Sequence, residues 1–94
     1  MLFDYVRIHF PTTYVKHIVE DVLRLKLPYF IHEDYGFYSY TEHYYLGDIF
    51  VLVSPELEKG VLLELKGCGC RQFESYLLAQ ERSWYEFFMD VLME

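Results

Sequence analysis

Apolar and polar residues alternate from Tyr5 to Phe10, with Val6, Ile8 and Phe10 on one side and Tyr5, Arg7 and His9 on the other. That period of two predicts a half-buried strand. Pro11 stops it, and Thr12 or Thr13 is placed to cap a helix. Val15, Ile18, Val19, Val22 and Leu23 then recur at helical spacing, leaving Lys16, Glu20, Asp21 and Arg24 for the outer face. Pro28 ends this amphipathic helix, and Pro28 to Tyr35 reads mostly as loop. The aromatic, Thr-containing stretch from Phe37 to Leu46 favours a strand. Gly47-Asp48 fits a tight hairpin turn. Ile49 to Ser54 is a near-continuous apolar run, as in an interior strand, and a turn over residues 55–60 leads to another strand, Val61 to Lys66.

Beyond Lys66 the period becomes helical. Cys70, Phe73 and Leu77 share a face, and a break falls near Gln80 to Arg82. Ser83 to Glu86 spells S-x-x-E, a capping box, and Trp84, Phe87, Phe88, Val91 and Leu92 form the stripe behind it. The order is β-α-β-β-β-α-α. It predicts an α+β fold, a mainly antiparallel four-stranded sheet with helices on one face, in a single domain over residues 1–94. The last helix runs to Glu94 without a Gly cap or polar tail. A further strand would be the natural continuation, so the expectation is an incomplete amino-terminal part of a larger domain.

Composition changes this picture in two ways. Ten Tyr and eight Phe in 94 residues exceed what one small core hides, so some rings are expected at an interface. The net charge is −7, with eight basic against fifteen acidic residues, which argues against a stand-alone binder of DNA phosphates. Binding through a local basic patch would be weak. No apolar run is long enough to span a membrane, and Asp4 and Pro11 interrupt any export signal. Two cysteines without an export signal suit a reducing cytoplasm.

The densest candidate chemistry is the stretch LELKGCGCRQFESYL, Leu63 to Leu77. Structural zinc needs four ligands, and Cys68 and Cys70 have only the scattered His9, His17, His32 and His43 to join them. Redox pairs favour C-x-x-C over C-x-C. The glycines suggest a phosphate loop at a helix start, helped by Lys66 and Arg71, but the third glycine of a dinucleotide fingerprint is missing. A strand-to-helix corner explains the run more simply, with Cys70 buried and Cys68 incidental. On a regular strand Tyr38, Tyr40, Glu42 and Tyr44 face one way and Ser39, Thr41, His43 and Tyr45 the other. The rings could stack bases, house a tyrosine nucleophile, or form a cross-strand aromatic ladder. Glu42 and His43 point to opposite faces and cannot act as one acid-base pair. No hydrolase, zincin or Walker motif is present, and the residues assign no catalytic, cofactor-binding or metal site.

The pattern G-V-x-L-E-L-x-G-x-G-C-R-x-F-E, here Gly60 to Glu74 and followed by the Trp84 helix, resembles the replication initiation factor (Rep_trans) family. That family holds rolling-circle plasmid initiators and relaxases of conjugative transposons, and the resemblance runs from Phe30 to Leu92. It marks Gly60, Glu64, Gly67, Gly69, Cys70, Arg71, Phe73, Glu74 and Trp84 as a scaffold signature, with Arg71 exposed or paired with Glu74. It implies DNA nicking by a tyrosine, with carboxylates holding a divalent metal. These groups lie downstream of the Trp helix in the family, so none maps onto this chain. Glu81 departs from the pattern, which has glycine there, and Cys68 occupies a variable position. The resulting expectation is a scaffold segment of an initiator or relaxase, inactive alone. Two alternatives remain. One is a small interaction module, a homodimer or a partner of the full-length relative, using Tyr38, Tyr40, Tyr44 and Tyr45. The other is a weak DNA-contacting fragment using Arg7, Lys16, Arg24, Lys26, Lys66 and Arg71.

Overall fold

The apolar runs around Ile49 and Val61 become the interior of one antiparallel sheet in a computed structural model that describes residues 3–94. Its strands are β1 (Tyr5–Phe10), β2 (Ile31–Glu33), β3 (Glu42–Leu46), β4 (Ile49–Val53) and β5 (Val61–Lys66), in the spatial order β1-β5-β4-β3-β2. The four later strands form a meander, and β1 closes onto β5 with Tyr5 opposite Lys66 and Phe10 opposite Val61. All helices pack on the face that carries Val6, Phe10, Ile49, Val51, Val61, Leu63 and Leu65. They are α1 (Val15–His17), prolonged by a π-helical turn Ile18–Val22, then α2 (Cys68–Ala79) and α3 (Trp84–Leu92).

The sheet has five strands, not the expected four. Ile31–Glu33 pairs with β3, Ile31 opposite Tyr45 and Glu33 opposite His43. Three residues directly after a proline-containing 3-10 turn (Leu27–Tyr29) are too few to display a period. The strand expected from Phe37 begins only at Glu42, because Tyr38 and Ser39 take φ of 57° and 70° and turn the chain. Tyr38 and Tyr40 therefore do not share a strand face with Tyr44.

The first helix also departs from regularity. Its N-cap is Tyr14 without a side-chain bond, and Thr12 Oγ1 instead accepts the Tyr14 N–H at 3.2 Å. The Leu23 N–H reaches back five residues to Ile18 at 2.9 Å. This wider turn still buries Ile18, Val19, Val22 and Leu23 together. The turn ends at Arg24, with φ 57°, while the Leu25 N–H closes on the Val19 carbonyl at 3.0 Å.

The α2 corner behaves as its sequence implies. Gly67 has φ 45° and donates to the Asp4 carbonyl at 2.8 Å. A Cβ on Gly69 would lie 2.4 Å from the Asp48 carbonyl oxygen, so the helix start sits directly against the β3–β4 hairpin. Gln72 locks that approach by accepting the Asp48 N–H and donating to the Leu46 carbonyl, both at 2.9 Å. Cys70, Phe73 and Leu77 are buried, each apolar side chain contributing about 1.5–3 kcal/mol. The Ser83–Glu86 capping box forms in both directions. In α3, Trp84 and Phe87 are buried and Phe88 and Val91 partly so, but Leu92, expected in that stripe, is 78% exposed.

Candidate functional site

Glu64 stands out as a carboxylate in the interior of an apolar strand. Strand alternation puts Leu63 and Leu65 under the helices and turns Glu64 to the opposite, helix-free face. Its side chain is only 6% exposed, so it needs partners. The neighbouring β1 supplies two: the Tyr5 hydroxyl and the Arg7 guanidinium both donate to Glu64 Oε2 at 2.8 Å. Lys66 Nζ lies 3.8 Å from the other oxygen. Burial alone would raise the Glu64 pKa. The bonds from Arg7 and Tyr5, with the charge of Lys66, outweigh it and hold the carboxyl below its ordinary value. Burial and the bond to Glu64 raise the Tyr5 phenol.

The turn after β2 folds over this face. Arg7 stacks on the Tyr38 ring at 4.6 Å, Lys66 Nζ reaches the Tyr38 hydroxyl at 3.4 Å, and Lys59 Nζ donates to the Tyr38 carbonyl at 3.0 Å. Phe37, Tyr38, Asp48, Phe50, Glu64 and Lys66 line a cleft of about 230 Å³. Beside it His43, 2% exposed, packs among Tyr35, Phe37, Tyr45 and Phe50 and donates through Nδ1 to the Tyr35 carbonyl at 2.6 Å. The face therefore presents three cations, Arg7, Lys59 and Lys66, with aromatic rings, the buried Glu64 carboxylate and Asp48 at the cleft.

The six basic residues expected to contact DNA do not form one patch. Arg7 and Lys66 meet around Glu64. Lys16, Arg24 and Lys26 lie on and just after the first helix, across the sheet, and Arg24 pairs with Asp90 at 3.5 Å. Arg71, at the start of α2, bonds to the Phe3 carbonyl and to Asp4 at 3.1 Å, not to Glu74. Glu74 instead accepts the Trp84 indole N–H at 3.0 Å, which joins α2 to α3. The four tyrosines separate as well. Tyr38 and Tyr40 belong to the turn over the open face, Tyr40 beneath Lys59 at 4.6 Å. Tyr44 stacks on His32 at 4.5 Å, and Tyr45 points to the opposite side with His43. Tyr5, Phe37 and Phe50 were not picked out from the sequence; a lone acid within V-L-L-E-L-K was the available sign that strand partners must exist.

The nicking chemistry that the resemblance implies needs a divalent metal, and the carboxylates near the open face are engaged elsewhere. Glu64 is committed to Arg7 and Tyr5. His32 meets Glu42 and Asp34 through opposite ring nitrogens, so the two carboxylates diverge. Among the described residues no three His, Cys, Asp or Glu side chains converge on a common point. Cys68 is exposed, whereas Cys70 is buried with its thiol donating to the Leu65 carbonyl at 3.4 Å, so the two thiols sit in different surroundings. Burial raises the Cys70 thiol. No described helix is long and apolar enough to cross a membrane.

An α+β sheet with helices on one face, entered through this glycine-cysteine corner, defines a class that comparison with known proteins makes specific. Residues 1–90 match the family model for the rolling-circle replication initiation protein N-terminal domain, and the chain belongs to that family. Among individual relatives, it is 42% identical over 92 residues to the putative DNA relaxase NicK of Bacillus subtilis (strain 168). That match takes in 97% of this chain and 26% of the relative, so the chain spans about a quarter of the relative's length. No solved structure matches the chain.

Proposed function

We propose that this chain is the sheet-forming amino-terminal module of a rolling-circle initiator or relaxase, and that it does not cleave DNA by itself. The observation that carries the reading is the match of nearly the whole chain to an N-terminal domain, alongside a relative almost four times as long. The signature residues support a scaffold role. Gly60, Gly67 and Gly69 serve tight backbone geometry, Cys70 and Phe73 fill the core, and Glu74 ties Trp84 across the helix pair. Glu64 holds β1 to β5 and positions Arg7.

In this reading the open face gives a weak, sequence-tolerant contact to single-stranded DNA. Arg7 and Lys66 meet phosphate, and the exposed Phe37 and Tyr38 rings meet bases. The two free cysteines suit a reducing cytoplasm.

The test is incubation of the 94-residue chain with supercoiled plasmid carrying a cognate origin, in Mg²⁺ or Mn²⁺. The reading expects no open-circular product. Metal-dependent nicking abolished by a single Tyr→Phe change would overturn it. Anisotropy with a labelled single strand tests the DNA contact separately. A salt-sensitive signal reduced by Arg7→Ala with Lys66→Ala is expected, and a signal indifferent to both salt and those changes would remove the open face from the account.

A further inference from the structure

Helix α3 is apolar on more sides than the core uses. Trp84 and Phe87 face inward, yet Tyr85, Met89 and Leu92, at i, i+4 and i+7, form a second stripe on the outside, 72%, 41% and 78% exposed. A helix in water keeps such a stripe at a cost unless something covers it. On one flank of Tyr85 lies an apolar groove of about 450 Å³ between α2 and α3, walled by Leu77, Leu78, Trp84 and Phe88. On the other flank lies a charged depression holding Arg24, Glu81, Arg82, Glu86 and Asp90.

The charges decide what fits. Arg82 is buried and donates to Asp90 at 2.9 Å, and Arg24 pairs with the same carboxylate at 3.5 Å. Both cations are thus held by one acid. Glu81 and Glu86 lie beside Tyr85 and Met89 and make no ion pair among the described residues, one Glu86 oxygen accepting the Ser83 N–H of the cap. A second copy of this chain would bring the same acids against each other, which disfavours it.

We propose that the α2–α3 groove and the outer stripe of α3 dock an amphipathic helix of a protein partner, its apolar side in the groove and its basic side toward Glu81 and Glu86. The mode is helix-in-groove recognition, with apolar anchors giving affinity and the acidic border giving orientation. It uses the helix layer, on the far side of the sheet from the proposed DNA contact, and stands or falls independently of it.

Trp84 is the chain's single tryptophan and forms part of the groove wall, so its emission reports occupancy. The probes are two helical peptides of equal length with the same leucine stripe, one bearing lysines on its polar side and the other glutamates. The basic peptide is expected to shift Trp84 emission saturably and to bind at least about tenfold more tightly than the acidic one, an advantage that salt erodes. Tyr85→Ala and Glu81→Lys should each weaken the basic peptide several-fold, with circular dichroism showing an intact fold. Equal affinity for both peptides, or indifference to both substitutions, would overturn the proposal. So would a protein mass that doubles without peptide and reverts in Tyr85→Ala, which would assign the surface to a second copy.

Discussion

Replacing Glu81 with glycine should stabilise this protein, and the size of the effect follows from the end of α2. Gln80 caps the helix, and Glu81 takes φ 56°. The Glu81 N–H bonds to the Leu78 carbonyl at 3.0 Å and the Arg82 N–H to the Leu77 carbonyl at 2.9 Å, a Schellman ending. An L-residue in that left-handed conformation costs about 1–2 kcal/mol. Glycine removes the cost but gains about 0.4–1 kcal/mol of freedom in the unfolded chain. The difference favours Glu81→Gly by about 0.5–1 kcal/mol, or about 2–8 °C in Tm for a domain of this size. The side chain itself is exposed and makes no ion pair among the described residues, so little is lost with it. Glu81→Ala keeps the Cβ and should show no gain. Urea and thermal unfolding followed by Trp84 fluorescence would measure both variants, with an unchanged m-value as the check on the unfolded state. If Glu81→Gly proves no more stable than Glu81→Ala, the strained ending is wrong.

Three further outcomes follow from the same geometry. Gly69→Ala should destabilise by about 1–3 kcal/mol in urea titrations, because its Cβ meets the Asp48 carbonyl and must push helix from hairpin; a neutral result would mean that the corner is looser than drawn. Glu64 has a lowered folded pKa, so its stabilisation is present above the unfolded value of about 4.3 and is lost as pH falls through the folded value. Tm measured from neutral pH downward should therefore fall less steeply in Glu64→Gln than in the parent, and parallel curves would count against the Arg7–Tyr5 clamp. His17 works in the opposite sense. Bonds to Glu94 and then to Asp21 raise its pKa, so its contribution is complete below about 6.5 and fades as pH rises through the raised value. His17→Gln should remove that part of the alkaline loss, detectable as a flatter dependence of Tm on pH between about 6.5 and 8 than in the parent, and parallel curves would count against the His17 contacts.

Strands β1, β4 and β5 and the last two helices were legible because each shows its period over enough residues, and because Ser83 and Glu86 spell their cap. β2 was hidden by its brevity. The start of β3 was misplaced because Tyr and Thr carry strand propensity, while Tyr38, left-handed like Ser39 after it, makes its contacts with Arg7, Lys59 and Lys66 far along the chain. The π-helical turn left no mark, since either helix type buries Ile18, Val19, Val22 and Leu23. Arg7 and Lys66 were both noted as cations, but their meeting around Glu64 depends on β1 joining β5 across 59 residues. A single sequence shows alternation along a strand, not which strand lies beside it. The family marker, by contrast, was readable because Gly67, Gly69, Phe73 and Glu74 sit at fixed offsets around one corner, with Gly60 one strand earlier.

The proposed function has this chain supplying the sheet module of a longer nicking protein. It is tested most directly by exchanging the matching 92 residues of the Bacillus subtilis relative for this chain and assaying the chimera on supercoiled plasmid carrying that relative's origin, beside the unaltered relative. The chimera should nick at a rate within about tenfold of the relative, a barrier difference of about 1.4 kcal/mol or less, and the same chimera carrying Gly69→Ala should lose activity together with thermal stability. A folded chimera that nicks no DNA where the relative does would contradict the claim.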